Sequence, residues 1–169
     1  MIDASDDKAD VVAILFAHCR SADAELLAII RELTPEQLDR AFEMGLGSIR
    51  ATYEHNLGAL RGWADVFANR PRRAWLPDEG PYTIEQLDAI TTALHDDWVE
   101  IVDKFPLDEV IERPRGDSMR RFTRAHIVTH VTTHAMHHRA QMINMLRHVG
   151  VENLPSGSVM QWVDTAIFP

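Results

Sequence analysis

Between Thr83 and Pro106 the large side chains recur in alternating steps of three and four without a break: Ile84, Leu87, Thr91, Leu94, Trp98, Ile101 and Phe105. That spacing holds one stripe in register along an α-helix and is the seam through which helices pack side by side. Thr83 and Gln86 form a capping box at its start, and Pro106 ends it. A helix with one continuous apolar seam is unstable alone in water, so the rest of the chain must supply partners for it.

Three other segments read as long helices. The first covers residues 9–33, where Val11, Leu15, His18, Ala22, Leu26, Ile30 and Leu33 draw one stripe. It stops before Thr34-Pro35-Glu36-Gln37, which caps a short new turn. The second covers residues 48–68. Its charge is confined to Arg50, Glu54, Arg61 and Asp65, with Ile49, Tyr53, Leu57, Leu60 and Phe67 on one side. The other side carries Ser48, Thr52, His55, Ala59, Gly62 and Val66. So little polar surface predicts cover from two directions, by the chain's own bundle and by a second subunit, hence a homodimer. The fourth long helix covers residues 123–149, with Gly150 placed to end it. Residues 107–122 suggest a small hairpin or an irregular excursion, and residues 159–166 a short final helix. The expected fold is all-α: a four-helix bundle with a short excursion before its fourth helix and a short C-terminal helix, one domain over residues 1–169.

Charge and composition exclude several classes of function. The net charge of −9 over 169 residues argues against nucleic acid as a partner, because phosphate binding needs a basic surface. No apolar run approaches the ~18 residues that span a bilayer, so no membrane partner is expected. The opening MIDASDDKAD is polar and acidic, unlike a secretory signal. The one cysteine, Cys19, cannot form an internal disulfide and fits a reducing compartment, so a cytoplasmic location is expected. One stretch runs against the acidic balance: Arg113, Arg115, Arg120, Arg121 and Arg124 crowd together. They read either as a solvated hairpin or as a patch that attracts an anionic small molecule.

Six of the nine histidines lie within residues 126–148. The seam of the fourth helix is Ile127, Val131, His134, His138, Met142, Met145 and Val149, so His134 and His138 occupy positions where leucine or valine is expected. Two imidazoles one turn apart leave the same face and converge on the same space. Both charged, they repel; both neutral, each needs partners for two ring nitrogens. A divalent cation resolves both problems. His126 and His130 share the four-residue spacing but lie towards the edge of the apolar arc, in partly solvated or supporting positions. A third protein donor must come from another helix. His55, set among the small side chains of Thr52, Ala59 and Gly62, is the first candidate, and His18 on the first helix its competitor.

Two familiar metal sites are absent. A zincin needs H-E-x-x-H, and Ala135 follows His134 here. A ferritin-like di-iron protein needs Glu-x-x-His twice, and the chain has none.

The stretch HVTTHAMHHRAQ, residues 130–141, resembles the fourth-helix motif of the DinB/YfiT-like family, small bacterial proteins regarded as metalloenzymes. In that motif a histidine and the second member of a His-His pair bind metal, followed by Arg-Gly-Gln. RATYEHNLGA, residues 50–59, is similar to the second-helix motif that carries the remaining ligand. Ala140 stands where glycine is usual, keeping a small residue. The resemblance implies His55, His134 and His138 as ligands of one divalent ion: zinc or nickel, with iron, cobalt or copper as further options. It also implies a four-helix bundle and commonly a homodimer. Relatives include transferases and isomerases that use low-molecular-weight thiols such as mycothiol or bacillithiol. By this resemblance the chain activates such a thiol for attack on a small electrophilic substrate. A metal-dependent hydrolase using water, and a stress-associated module that binds metal or ligand without turnover, are the alternatives. No catalytic base stands out beside the motif.

Overall fold

Helices begin where a short polar side chain can satisfy an orphan backbone donor. In a computed structural model, which describes residues 10–167, Asp10 accepts from the amides of Val12 and Ala13 and opens α1 (Val11–Ile30). Residue 9, the expected start, lies outside the described residues. Thr34 and Gln37 close the capping box of the short α2 (Pro35–Leu38). Ser48 caps α3 (Ile49–Phe67). After α4 (Leu76–Glu79), a second capping box, Thr83 with Gln86, opens α5 (Ile84–Lys104).

The all-α expectation fails at the next segment. β1 (Val110–Arg115) and β2 (Ser118–Thr123) pair antiparallel, with Val110 opposite Thr123 and Arg115 opposite Ser118. Gly116, at φ 56°, makes the tight turn between them. The strand signal was too short to set a class, since only Ile111 of this hairpin is fully buried. Thr123 then caps α6 (Arg124–His148), in a capping box whose partner three residues on is the ring of His126. The chain ends in α7 (Val159–Trp162) and a π-helical turn over Val163–Ile167.

The four long helices close a ring: α1 touches α5 and α6, and α3 touches the same two from the other side. The seam read on α5 is in place, with Leu87, Thr91, Leu94, Trp98 and Ile101 all buried. On α1 the stripe holds from His18 to Ile30, but Val11, in the first turn, is 63% exposed. Trp98 stacks on Phe16, meets Phe67 edge-on, and donates to the carbonyl of Leu60 at 3.1 Å.

The scarcity of charge on α3 has a cause within the chain. Trp75 and Pro77 close over Gly58. Glu54 is buried and accepts from the amide of Tyr82, and Asp65 is buried and held by Arg73. Residues 73–82 thus cover the charged face of α3, whereas Ala59, Gly62 and Val66 on its small-residue side stay half-buried.

Candidate metal centre

Four residues are slightly more than one helical turn, so His134 and His138 leave α6 on one face, and their rings meet edge-on with centroids 4.4 Å apart. Their Nε2 atoms lie 3.2 Å apart. α3 packs on that face and brings His55 to them, with ring centroids 5.4 Å from His134 and 4.8 Å from His138. One ring nitrogen from each of the three lies within 4.8 Å of the other two, the only such group of His, Cys, Asp or Glu among the described residues.

The donor set fits a divalent ion of borderline softness. His138 Nδ1 donates to Gln141 Oε1 at 2.8 Å, and the Gln141 amide donates to His137 Nε2 at 2.9 Å. With its proton on Nδ1, His138 presents the lone pair of Nε2 to His134 and His55. Gln141 is itself pinned. The backbone of Gly45, at φ 57°, approaches so closely that a Cβ there would sit 3.1 Å from Gln141 Oε1. Thr52 holds that loop to α3 by accepting from the amide of Leu46 and donating to the carbonyl of Ser48.

Burial and mutual repulsion keep the three rings neutral at ordinary pH. Desolvation, and then the neighbouring rings of His138 and His55, lower the pKa of His134 to about 4. Burial lowers His138, against the hydrogen bond to Gln141, and burial lowers His55. Neutral imidazoles with free lone pairs are the form that binds a metal.

The other histidines have separate roles. His18, the competitor for third donor, is buried against Trp162 edge-on. His130 is exposed and packs edge-on to Trp63, 5.4 Å from His134 by centroid. His126 serves the capping of α6. Cys19 is buried with its thiol pKa pushed up by desolvation, which leaves it protonated and a poor nucleophile.

Behind the triad lies a polar network that sequence reading missed. Arg139, next to His138, donates to Asp23 Oδ1 at 3.1 Å and to Cys19 Sγ at 3.5 Å. His95 Nε2 meets the other carboxylate oxygen at 2.9 Å. Burial alone would raise the Asp23 carboxyl, but the hydrogen bond from His95 and the charge of Arg139 outweigh it and hold the pKa low.

Beside the histidines opens a cleft of about 690 Å³. His55, Ala59, Gly62 and Val66 of α3 line one side, as the small-residue stripe of that helix suggests, and half-buried His134 also lines it. Trp63, Trp75 and Phe122 supply aromatic walls, and arginines from the loop after α3 and from the hairpin complete the lining. The arginine cluster read from sequence is split by the fold. Arg124 is buried, donating to the Phe67 carbonyl at 2.7 Å and pairing with Glu109. Arg121 pairs with Glu112 across the hairpin, whereas Arg113, Arg115 and Arg120 face the cleft.

None of the described helices is long and apolar enough to cross a membrane. No curated protein matches the chain. A solved structure, a DinB-like protein (YjoA) from Bacillus subtilis, shares the fold at 17% identity, with a TM-score of 0.63 over 85% of this chain and 96% of that one. The pattern that defines the DinB family matches residues 6–160, so the chain belongs to the DinB family.

Proposed function

We propose that this protein is a metal-dependent enzyme in which His55, His134 and His138 hold one divalent ion. In this reading the ring of four long helices is a four-helix bundle and the chain one domain. The observation that carries the proposal is the convergence of three neutral imidazoles, two of which, His55 and His134, line a cleft large enough for a small molecule. Imidazole donors suit zinc or nickel, with iron, cobalt or copper as further options.

When bound, such an ion supplies Lewis-acid chemistry, making a thiol or water at the site easier to deprotonate. The chain's own residues do the rest. Gln141 fixes the tautomer of His138, Trp75 packs edge-on against His55 at 5.5 Å, and the aromatic walls limit water. The one carboxylate lining the cleft, Asp65, is fully engaged by Arg73 and so is a poor general base. That favours a nucleophile that ionises readily: a free thiol has a pKa of about 8.5, bulk water about 15.7. The reaction proposed is attack of a low-molecular-weight thiol on an electrophile.

The test is elemental analysis of untagged protein, followed by thiol consumption with a panel of electrophiles, with and without metal. Metal-dependent thiol loss supports the transferase reading. Metal-dependent cleavage of esters or amides without thiol would mark a hydrolase. Neither activity, with one ion bound, would mark a binding module. A homodimer remains part of the proposal, supported by the exposed Val11 and Ile14 on one face of α1. Light scattering should give twice the chain mass of 19.2 kDa, and a monomer across micromolar concentrations would refute it.

A further inference from the structure

Strand alternation sorts the hairpin's charges onto two faces. On one, Glu112 stands opposite Arg121, and the two form an ion pair. On the other, Arg113 stands directly opposite Arg120, with Arg115 two residues along. Like charges opposite each other on a sheet are destabilising unless something neutralises them. Among the described residues no carboxylate does so. Arg113 donates only to the neutral amide of Asn69, Arg120 lies over the ring of Phe122, and Arg115 has no ion pair. Arg72, from the loop across the cleft, has none either, while Arg70 beside it is paired with Asp97. The one acidic residue of the lining, Asp65, is only 2% exposed and already paired. A chain of net charge −9 thus gathers unneutralised guanidinium groups around the cleft that His55 and His134 also line.

We propose that the cleft takes an organic anion: a small, largely apolar body carrying a carboxylate or phosphate group, held at that end by Arg113, Arg115 and Arg120 with Arg72. The body lies along Ala59, Gly62 and Val66, between the rings of Trp63 and Trp75, and its uncharged end reaches the histidines. Guanidinium forks match both oxyanions, and a cleft of one sign concentrates ligands of the other. This deepens the proposed enzyme by naming its substrate class, and as a substrate assignment it rests on that reading. The anion site itself needs no metal.

The test therefore uses metal-free protein, with the indole N–H resonances of Trp63 and Trp75 as reporters. Benzoate is titrated against benzamide, its uncharged isostere, and phenyl phosphate is run in parallel. Benzoate should shift both indole signals saturably, at least about tenfold more tightly than benzamide, and should weaken as salt rises. Arg113→Gln, Arg115→Gln and Arg120→Gln combined should weaken benzoate by about tenfold and leave benzamide unchanged. Arg121→Gln, on the other face, should leave both affinities unchanged. Whether phenyl phosphate or benzoate binds more tightly assigns the phosphate or the carboxylate. Equal binding of benzoate and benzamide, or a triple variant that binds benzoate like wild type, overturns the proposal. So does an Arg121→Gln effect equal to that of the triple variant. Zinc titration of the same samples separates the two readings: failure to bind zinc sinks the metal centre, and the anion result stands or falls on its own.

Discussion

The ring of His138 is aimed by Gln141. It accepts from His138 Nδ1 with its carbonyl and donates to His137 with its amide, so one side chain fixes which nitrogen of His138 is free. Such supporting residues are commonly worth about 10–100-fold in metal affinity. Gln141→Ala should weaken zinc binding by about that factor while leaving the helical circular dichroism signal unchanged; an unaltered zinc affinity would mean that the hydrogen bond does not orient the ring. The histidines also set a pH dependence in the metal-free protein. The pKa of His134 is 6.5 for an ordinary ring and about 4 here, and those of His55 and His138 are displaced in the same direction. Between these values the unfolded chain binds more protons than the folded one, so stability rises with pH across the window and is lost as pH falls from 6.5 towards 4. The melting temperature of chelated protein should fall through that range, and less steeply in His134→Ala. His134 and His138 were legible in the sequence because they interrupt an apolar seam at one-turn spacing. The role of Gln141 was not, although it lies three residues beyond His138: spacing makes a contact possible, and only the rotamers decide it.

The long helices were legible as elements because seams and caps both speak at short range: the capping boxes at Thr34 and Thr83 are formed as read. What joins helix to helix is harder to read. Asp23, His95 and Arg139 lie on α1, α5 and α6, and each alone looks like a surface residue on a solvated face. Together they are buried and joined through the Asp23 carboxylate, a pattern that no single helix's periodicity reveals. Arg124 misled in the same way, reading as part of a basic patch when Glu109 and the Phe67 carbonyl hold it inside. Removing one partner of a buried ion pair leaves the other charged and desolvated, which typically costs about 3–5 kcal/mol. Asp23→Ala strands Arg139 and should lower stability by that amount, a drop of ~10 °C or more in melting temperature. Thermal melts of metal-free protein check this without interference from the ion. A variant within a degree of wild type would show that the network does not hold the three helices together.

At the scale of the whole molecule, the core and the candidate site occupy different places. Trp98, Tyr53, Phe67, Leu26 and Ile101 are almost wholly buried within the ring of helices, whereas His55 and His134 are only half-buried at its edge, where the cleft begins. A centre that organised the fold would be expected to close its coordination with four protein ligands, often cysteines. Here three histidines converge, and the one cysteine is bonded to Arg139 instead. The fold therefore supplies its own stability and presents the histidines to a ligand. Chelated wild type and His134→Ala should both keep the helical circular dichroism signal and unfold in one cooperative step. Adding zinc should raise the melting temperature of wild type in proportion to the logarithm of zinc concentration above the Kd. His134→Ala should show almost none of that rise, because two remaining donors bind weakly. Loss of the helical signal on chelation would make the ion structural. The histidines would then be holding the helices together, and the cleft beside them would lose its claim to be an active site.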